Sequence, residues 1–152
     1  MQREHWLLAA ALVFATAAHG QGPDLALTWL GRDAVFVEMA SIRAAGDQTT
    51  FRALRVVDGE DAINGERFLG GWQAASIDCR ARTFRASSFA SLRESGAVGP
   101  EQVLSGEAYP IAGGSAEAGM ESAVCRNAPA YGERASSVAE AVKIGRGKLA
   151  HN

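Results

Sequence analysis

The chain has 152 residues, of which 47% are hydrophobic and 21% are charged. That length allows one globular domain, and that composition supports a buried core and excludes a disordered or collagen-like chain. Fifteen Lys and Arg residues against seventeen Asp and Glu residues give a net charge of −2, which excludes a nucleic-acid-binding protein that depends on a strongly basic surface.

Residues 1–20 have the pattern of a secretory signal peptide. Arg3 lies near the start, an apolar run extends from Trp6 to Ala18, and small residues follow. The run is shorter than the roughly 20 residues that a membrane-spanning helix needs, so a retained N-terminal anchor is the weaker interpretation. No cysteine follows the run closely, which argues against lipidation. We expect an exported protein, periplasmic or extracellular, with no membrane span after cleavage.

Three β-suited runs come next in the chain. Residues 25–30 and 34–38 are separated by the turn-like Gly31-Arg32-Asp33, which predicts two antiparallel strands. Residues 49–57, after Gly46-Asp47, predict a third strand.

An acidic, turn-rich segment covers residues 58–66. Asn64-Gly65 is typical of a hairpin tip, so we expect an exposed loop or small hairpin. Its carboxylates could gather around calcium, but Ala62 interrupts the alternating spacing of a calcium loop, and a solvated acidic loop is the preferred interpretation. The acidic residues concerned are Asp58, Glu60, Asp61 and Glu66.

Residues 73–83 show the clearest alternation in the chain. Ala75, Ile77 and Cys79 share one face of the pattern, and Asp78 falls on the other with Arg80 and Arg82. A period of two predicts a half-buried strand, with Cys79 pointing inward and the arginines outward.

Arg80 and Arg82 are candidate partner-binding residues. On an exposed sheet face they could form a basic strip that docks an acidic protein or a glycan. The alternative, which we prefer, pairs them with Asp78 or Glu107 on an ordinary solvated face.

The remainder of the chain predicts further strands and a helix. Residues 88–93 and 103–111 continue the sheet. Ser115 is a good N-cap for a helix that ends near Arg126, because Pro129 forbids continuation. Residues 133–144 carry a weak second helical stripe ahead of Gly145, within a C-terminal tail, residues 129–152, that we expect to be loosely attached.

Cys79 and Cys125 are the only cysteines, 46 residues apart. In an oxidising compartment an even count of cysteines predicts a disulfide between them. A thiol nucleophile or a zinc site would need a neighbouring base or further ligands, and the sequence around them supplies none.

Catalytic motifs are largely excluded. The histidines are His5, His19 and His151, so the body of the exported chain has no histidine for Ser-His-Asp or Cys-His catalysis or for metal ligation. Aromatic residues, Phe68 and Phe89 among them, are spread over the predicted strands, and we interpret them as core and strand partners. We expect no enzyme, no cofactor and no metal.

Several short segments resemble the surface-adhesin E-like domain family of Proteobacteria. The segments are Val37-Glu38-Met39-Ala40-Ser41-Ile42-Arg43, Ile77-Asp78-Cys79-Arg80, Thr83-Phe84-Arg85, Tyr109-Pro110-Ile111, Gly113-Gly114-Ser115-Ala116-Glu117 and the stretch from Met120 to Cys125. The resemblance covers roughly residues 28–126 and implies a middle-strand cysteine bonded to one at the end of a helix. The best-known member is an outer-membrane lipoprotein that binds host extracellular proteins. The matching residues are structural, so no adhesive residue carries over.

These observations predict an α+β fold, a meandering antiparallel sheet with one packed helix joined to it through Cys79 and Cys125. Residues 1–20 form the signal peptide, 21–128 the domain and 129–152 the tail. The predicted function is an exported, non-catalytic binding or envelope-interaction module with a protein or glycan partner. The alternative is a small exported enzyme or a calcium-dependent protein that uses the loop at 58–66. The oligomeric state stays open.

Overall fold

A computed structural model of the chain describes residues 22–59 and 62–151. The predicted signal peptide therefore lies outside the described residues, as do Glu60 and Asp61 of the acidic loop. The described residues form the α+β fold that the sequence predicts, with strands paired antiparallel into one sheet. No helix in these ranges is both long enough and apolar enough to cross a membrane.

The strands run through most of the chain, and the helices lie near its C-terminal end. The strands are β1 Leu25–Leu30, β2 Ala34–Glu38, β3 Arg43–Ala45, β4 Gln48–Val56, β5 Ala62–Ile63, β6 Glu66–Asp78, β7 Thr83–Arg93, β8 Gln102–Val103, β9 Tyr109–Pro110 and β10 Arg134–Ala135. The helices are α1 Ala116–Arg126 and α2 Val138–Leu149, with a 3-10 turn at Met39–Ser41. The sheet order is β10-β1-β2-β4-β6-β7-β8; β3 extends along β4, β9 along β7, and β5 pairs with β6.

Both faces of the sheet are covered where β1, β2 and β4 meet. Phe36 and Leu54 lie in a core cluster with residues of α2, whereas Val37 and Phe51 lie in a second cluster with residues of α1. Successive strand residues point to opposite faces, so the two helices pack on opposite sides of the sheet. The predicted single packed helix is therefore corrected to one helix on each face.

The hairpin predicted at Asn64-Gly65 is present. Asn64 has φ 54° and Gly65 has φ 79°, and Ile63 pairs with Glu66 across them. Two consecutive residues with positive φ are what a tight two-residue β-turn of matching twist requires, which explains the Asn-Gly sequence.

The single strand predicted over residues 73–83 is wrong at its C-terminal end. β6 stops at Asp78, and residues 79–82 form the turn into β7. The Asp78 carboxylate accepts hydrogen bonds from the backbone N–H groups of Arg80 at 3.0 Å and Ala81 at 2.7 Å, and Arg82 has φ 54°. A side chain that satisfies the next backbone donors favours a turn over a strand. Cys79 and both arginines therefore lie in this turn, not on the sheet face.

The C-terminal region is not the loose tail that the sequence predicts. β10 pairs with β1, with Ala135 opposite Leu25, and Ala141 of α2 is buried in the core. α2 also continues past Gly145, because this glycine lets the helix approach the sheet: a Cβ there would lie 3.0 Å from Val56 and 3.1 Å from Ala34. Gly145 is a close-packing residue, not a helix terminator.

The predicted helix α1 begins and ends as the sequence indicates. The Ser115 side chain accepts a hydrogen bond from the Ala118 N–H, and Asn127 ends the helix in the left-handed conformation. The predicted disulfide joins Cys79 to Cys125, with Cα atoms 5.8 Å apart. It connects the β6–β7 turn to the last turn of α1.

Candidate functional site

The sheet extends beyond both helices along the β6–β7 hairpin, which leaves two open surfaces. α2 packs against β1, β2, β4 and β10, and α1 packs against β1, β2 and β4. The surface on the α2 side is named here the arginine groove. The surface on the α1 side, near the opposite end of the hairpin, is named the phenylalanine cleft.

The arginine groove has a floor of small residues between two arginines. Arg52 of β4 lies opposite Ala74 of β6, and Arg85 of β7 lies opposite Ser76. Because adjacent strands are about 4.8 Å apart, the two arginines flank β6 as walls roughly 10 Å apart. The depression holds about 410 Å³ and is lined by Ser41, Thr50, Arg52, Ser76, Arg85 and Ser87, among others.

Both arginines are held in place while remaining open to solvent. The Arg52 guanidinium lies 4.4 Å from the centre of the Trp72 ring and 3.4 Å from the Glu38 carboxylate, and its side chain is 51% exposed. The Arg85 Nε donates to the Gly106 carbonyl at 3.2 Å. A guanidinium has five N–H donors, so each arginine keeps donors for a partner.

Of the two arginines singled out from the sequence, Arg82 is engaged within the protein. Its Nε and Nη2 donate to the two carboxylate oxygens of Glu121 at 2.8 and 2.9 Å, and Glu121 is only 3% exposed. These hydrogen bonds hold the pKa of the Glu121 carboxyl below its usual value. Arg80 is exposed and makes no ion pair with any described residue. The structure thus separates the predicted pair into one structural and one solvent-facing residue.

The β6–β7 turn is fastened to α1 at two points. Cys79 and Arg82 lie three residues apart in the turn, and their partners Cys125 and Glu121 lie four residues apart in the helix. Residues at this helical spacing share one face. Cys125 therefore projects from the flank of an unbroken helix, while Met120 and Ala123 face the core.

The phenylalanine cleft is a largely apolar depression of about 450 Å³. A Cβ at Gly71 would lie 2.1 Å from Cζ of Phe89, so the glycine lets this ring lie against the backbone of β6. Gly70 has φ 145°, a conformation that favours glycine. The half-buried rings of Phe68 and Phe89 thus line a cavity, where the sequence alone predicted strand partners. The lining residues include Asp33, Arg55, Asp58, Phe68, Gly71 and Phe89.

The polar end of the cleft is an incompletely satisfied arginine. The Arg55 Nε is 2.9 Å from an Asp33 carboxylate oxygen, yet its buried N–H makes no aligned hydrogen bond. On the same sheet face, Gln73 has a buried Oε1 without a hydrogen-bond partner among the described residues. Buried polar groups of native proteins are nearly always hydrogen-bonded, so an unsatisfied one calls for a partner such as a ligand or a bound water.

The acidic loop shows no cation site in the part of the chain that the structure describes. No group of three or more His, Cys, Asp or Glu side chains in these ranges could hold a metal. Glu66 instead pairs with Arg93 at 3.2 Å. Because Glu60 and Asp61 lie outside the described residues, the calcium alternative stays a prediction.

Together these features define a small disulfide-bonded α+β domain with open sheet surfaces. No family model and no curated protein matches the chain. Among solved structures, it is similar to protein E of Haemophilus influenzae, with a TM-score of 0.53 and 12% identity over 78% of this chain and 98% of that chain. At this identity the likeness shows a distant relation of fold alone.

Proposed function

We propose that the chain is an exported, non-catalytic binding or envelope-interaction module, adhesin-like in type, that works in the periplasm or outside the cell. Three findings support this proposal: the resemblance of its segments to the surface-adhesin E-like family, the fold likeness to protein E, and a disulfide that suits an oxidising compartment.

The observation that carries the proposal is the arginine groove. Its arginines are positioned by Trp72, Glu38 and a main-chain carbonyl, and they stay accessible on either side of a low floor. Arginine binds carboxylates through paired N–H donors, and the Ser76 hydroxyl offers one further donor. The partner class that fits this groove is a carboxylate-bearing protein segment or glycan.

A salt-resolved binding measurement tests the groove. Immobilised poly-L-glutamate and polygalacturonate serve as probes for the two carboxylate sources. We expect salt-sensitive binding that the double variant Arg52→Gln/Arg85→Gln weakens by about tenfold or more, since two charge-assisted contacts are lost. Arg80→Gln is the matched control and leaves binding unchanged. Full binding by the double variant, or loss through Arg80→Gln instead, contradicts the assignment to the groove.

Export is tested separately by intact mass. Secreted protein should have the mass of residues 21–152 less two hydrogens, and thiol label should enter only after reduction. A full-length protein with two free thiols contradicts the exported assignment.

A further inference from the structure

We propose that the phenylalanine cleft is a second binding site, which takes a small carboxylate with an apolar or aromatic body. The cleft lies on the sheet face opposite the arginine groove, so this inference does not depend on the proposed function. Its size, about 450 Å³, falls within the range of small-molecule sites.

The apolar part of the ligand is specified by the walls and floor. Phe68 and Phe89 are both half-buried, and Gly71 allows the Phe89 ring to lie on the strand with no side chain between them. Aromatic walls around a flat floor favour another ring or a short alkyl chain, which gains by leaving water.

The charged part of the ligand is specified by Arg55. Its guanidinium lies at the cleft with 31% of the side chain exposed, and its Nε forms an ion pair with Asp33; Asp58 also lines the cleft. A guanidinium has five N–H donors, so the donors of Arg55 that this ion pair does not use are the ones that a carboxylate would meet.

Two matched compounds test the proposal on unmodified protein: 3-phenylpropionate and its uncharged amide. The readout is the amide signals of Gly70 and Gly71 in a two-dimensional ¹⁵N–¹H spectrum of the folded protein. We expect saturable shifts with the acid at millimolar concentration, and affinity lower by about tenfold for the amide, the loss that one charge-assisted hydrogen-bond pair represents. No shift with the acid overturns the site, and equal shifts with both compounds overturn the carboxylate assignment.

Paired variants locate the contacts. Arg55→Gln should remove the preference for the acid, while Arg80→Gln, in the exposed β6–β7 turn, should keep it. Phe68→Ala should weaken the binding of both compounds. The adjacent Leu69 packs in the core cluster on the α2 side, so Leu69→Ala should not weaken it. The proposal is overturned if the control variants lose binding or the preference for the acid while Arg55→Gln and Phe68→Ala keep them. Failure here leaves polyglutamate binding in the groove unaffected, so the two sites are tested separately.

Discussion

Removing the Cys79–Cys125 bond should destabilise the domain strongly. The bond closes a loop of 46 residues that includes all of β7 and most of α1. In the chain-entropy model, a loop of this length restricts the unfolded state by about 4 kcal/mol. At roughly 3 °C per kcal/mol for a domain of this size, Cys125→Ser should lower Tm by roughly 10–15 °C.

The assay is thermal unfolding under oxidising conditions, with Cys79→Ser and the double variant as controls. Each single variant and the double variant break the same bond, so the three should melt together and their effects should not add. Addition of reductant should bring the parent to the same Tm. The Arg82–Glu121 ion pair joins the same turn to α1 without involving either sulfur, so we expect it to persist after reduction. A Cys125→Ser protein that melts like the parent refutes the reasoning.

Three further predictions follow from particular contacts. Arg82 holds the Glu121 pKa below its unfolded value, so the ionised carboxylate stabilises the fold above the ordinary glutamate pKa, and this stabilisation is lost as pH falls through the lowered pKa. Glu121→Gln should therefore lower Tm near neutral pH, and the difference in stability from the parent should shrink in acid. A difference that does not change with pH in denaturant titrations contradicts this. Gly119→Ala should destabilise the fold despite its better helix propensity, because the new Cβ would lie 2.2 Å from the Thr28 carbonyl oxygen. At Gly147 a Cβ meets nothing within 4 Å, so Gly147→Ala should stabilise the fold by about 0.5–1 kcal/mol. Similar changes in the urea midpoints of the two variants would show that the packing argument fails. Millimolar calcium should leave Tm unchanged, and a rise of several degrees would favour the calcium-dependent alternative.

Local signals in the sequence were enough for elements whose cause is local. The first hairpin strands, the Asn64-Gly65 turn and the Ser115 cap depend on neighbouring residues, and the structure confirms them. The β6–β7 turn was missed because alternation hid it: Ala81 and Thr83 continue the period of two past the reversal. Asp78 carried a usable signal, since aspartate commonly bonds the next backbone N–H groups at a turn.

Features that depend on contacts between distant parts of the chain could not be predicted from the sequence. In the sequence, Gly145 indicates the end of a helix. In the structure it packs against Val56 and Ala34 of the sheet, which is why the residue must be small. Both open surfaces likewise depend on strand register. Arg52 and Arg85 are 33 positions apart in the chain and flank β6 only because each pairs with one of its residues.

The pairing of β10 with β1 determines when the fold can be finished. Leu25 lies opposite Ala135, and Arg134 bonds Asp24 at 2.6 Å, so the outer edge of β1 is completed by residues made more than a hundred positions later. α2 follows β10 in the chain, so the helix that covers this side of the sheet is also among the last parts to be made. Such distant contacts are slow to form. The outer edge of β1 and the α2 side of the sheet are therefore completed only once nearly the whole chain has been made.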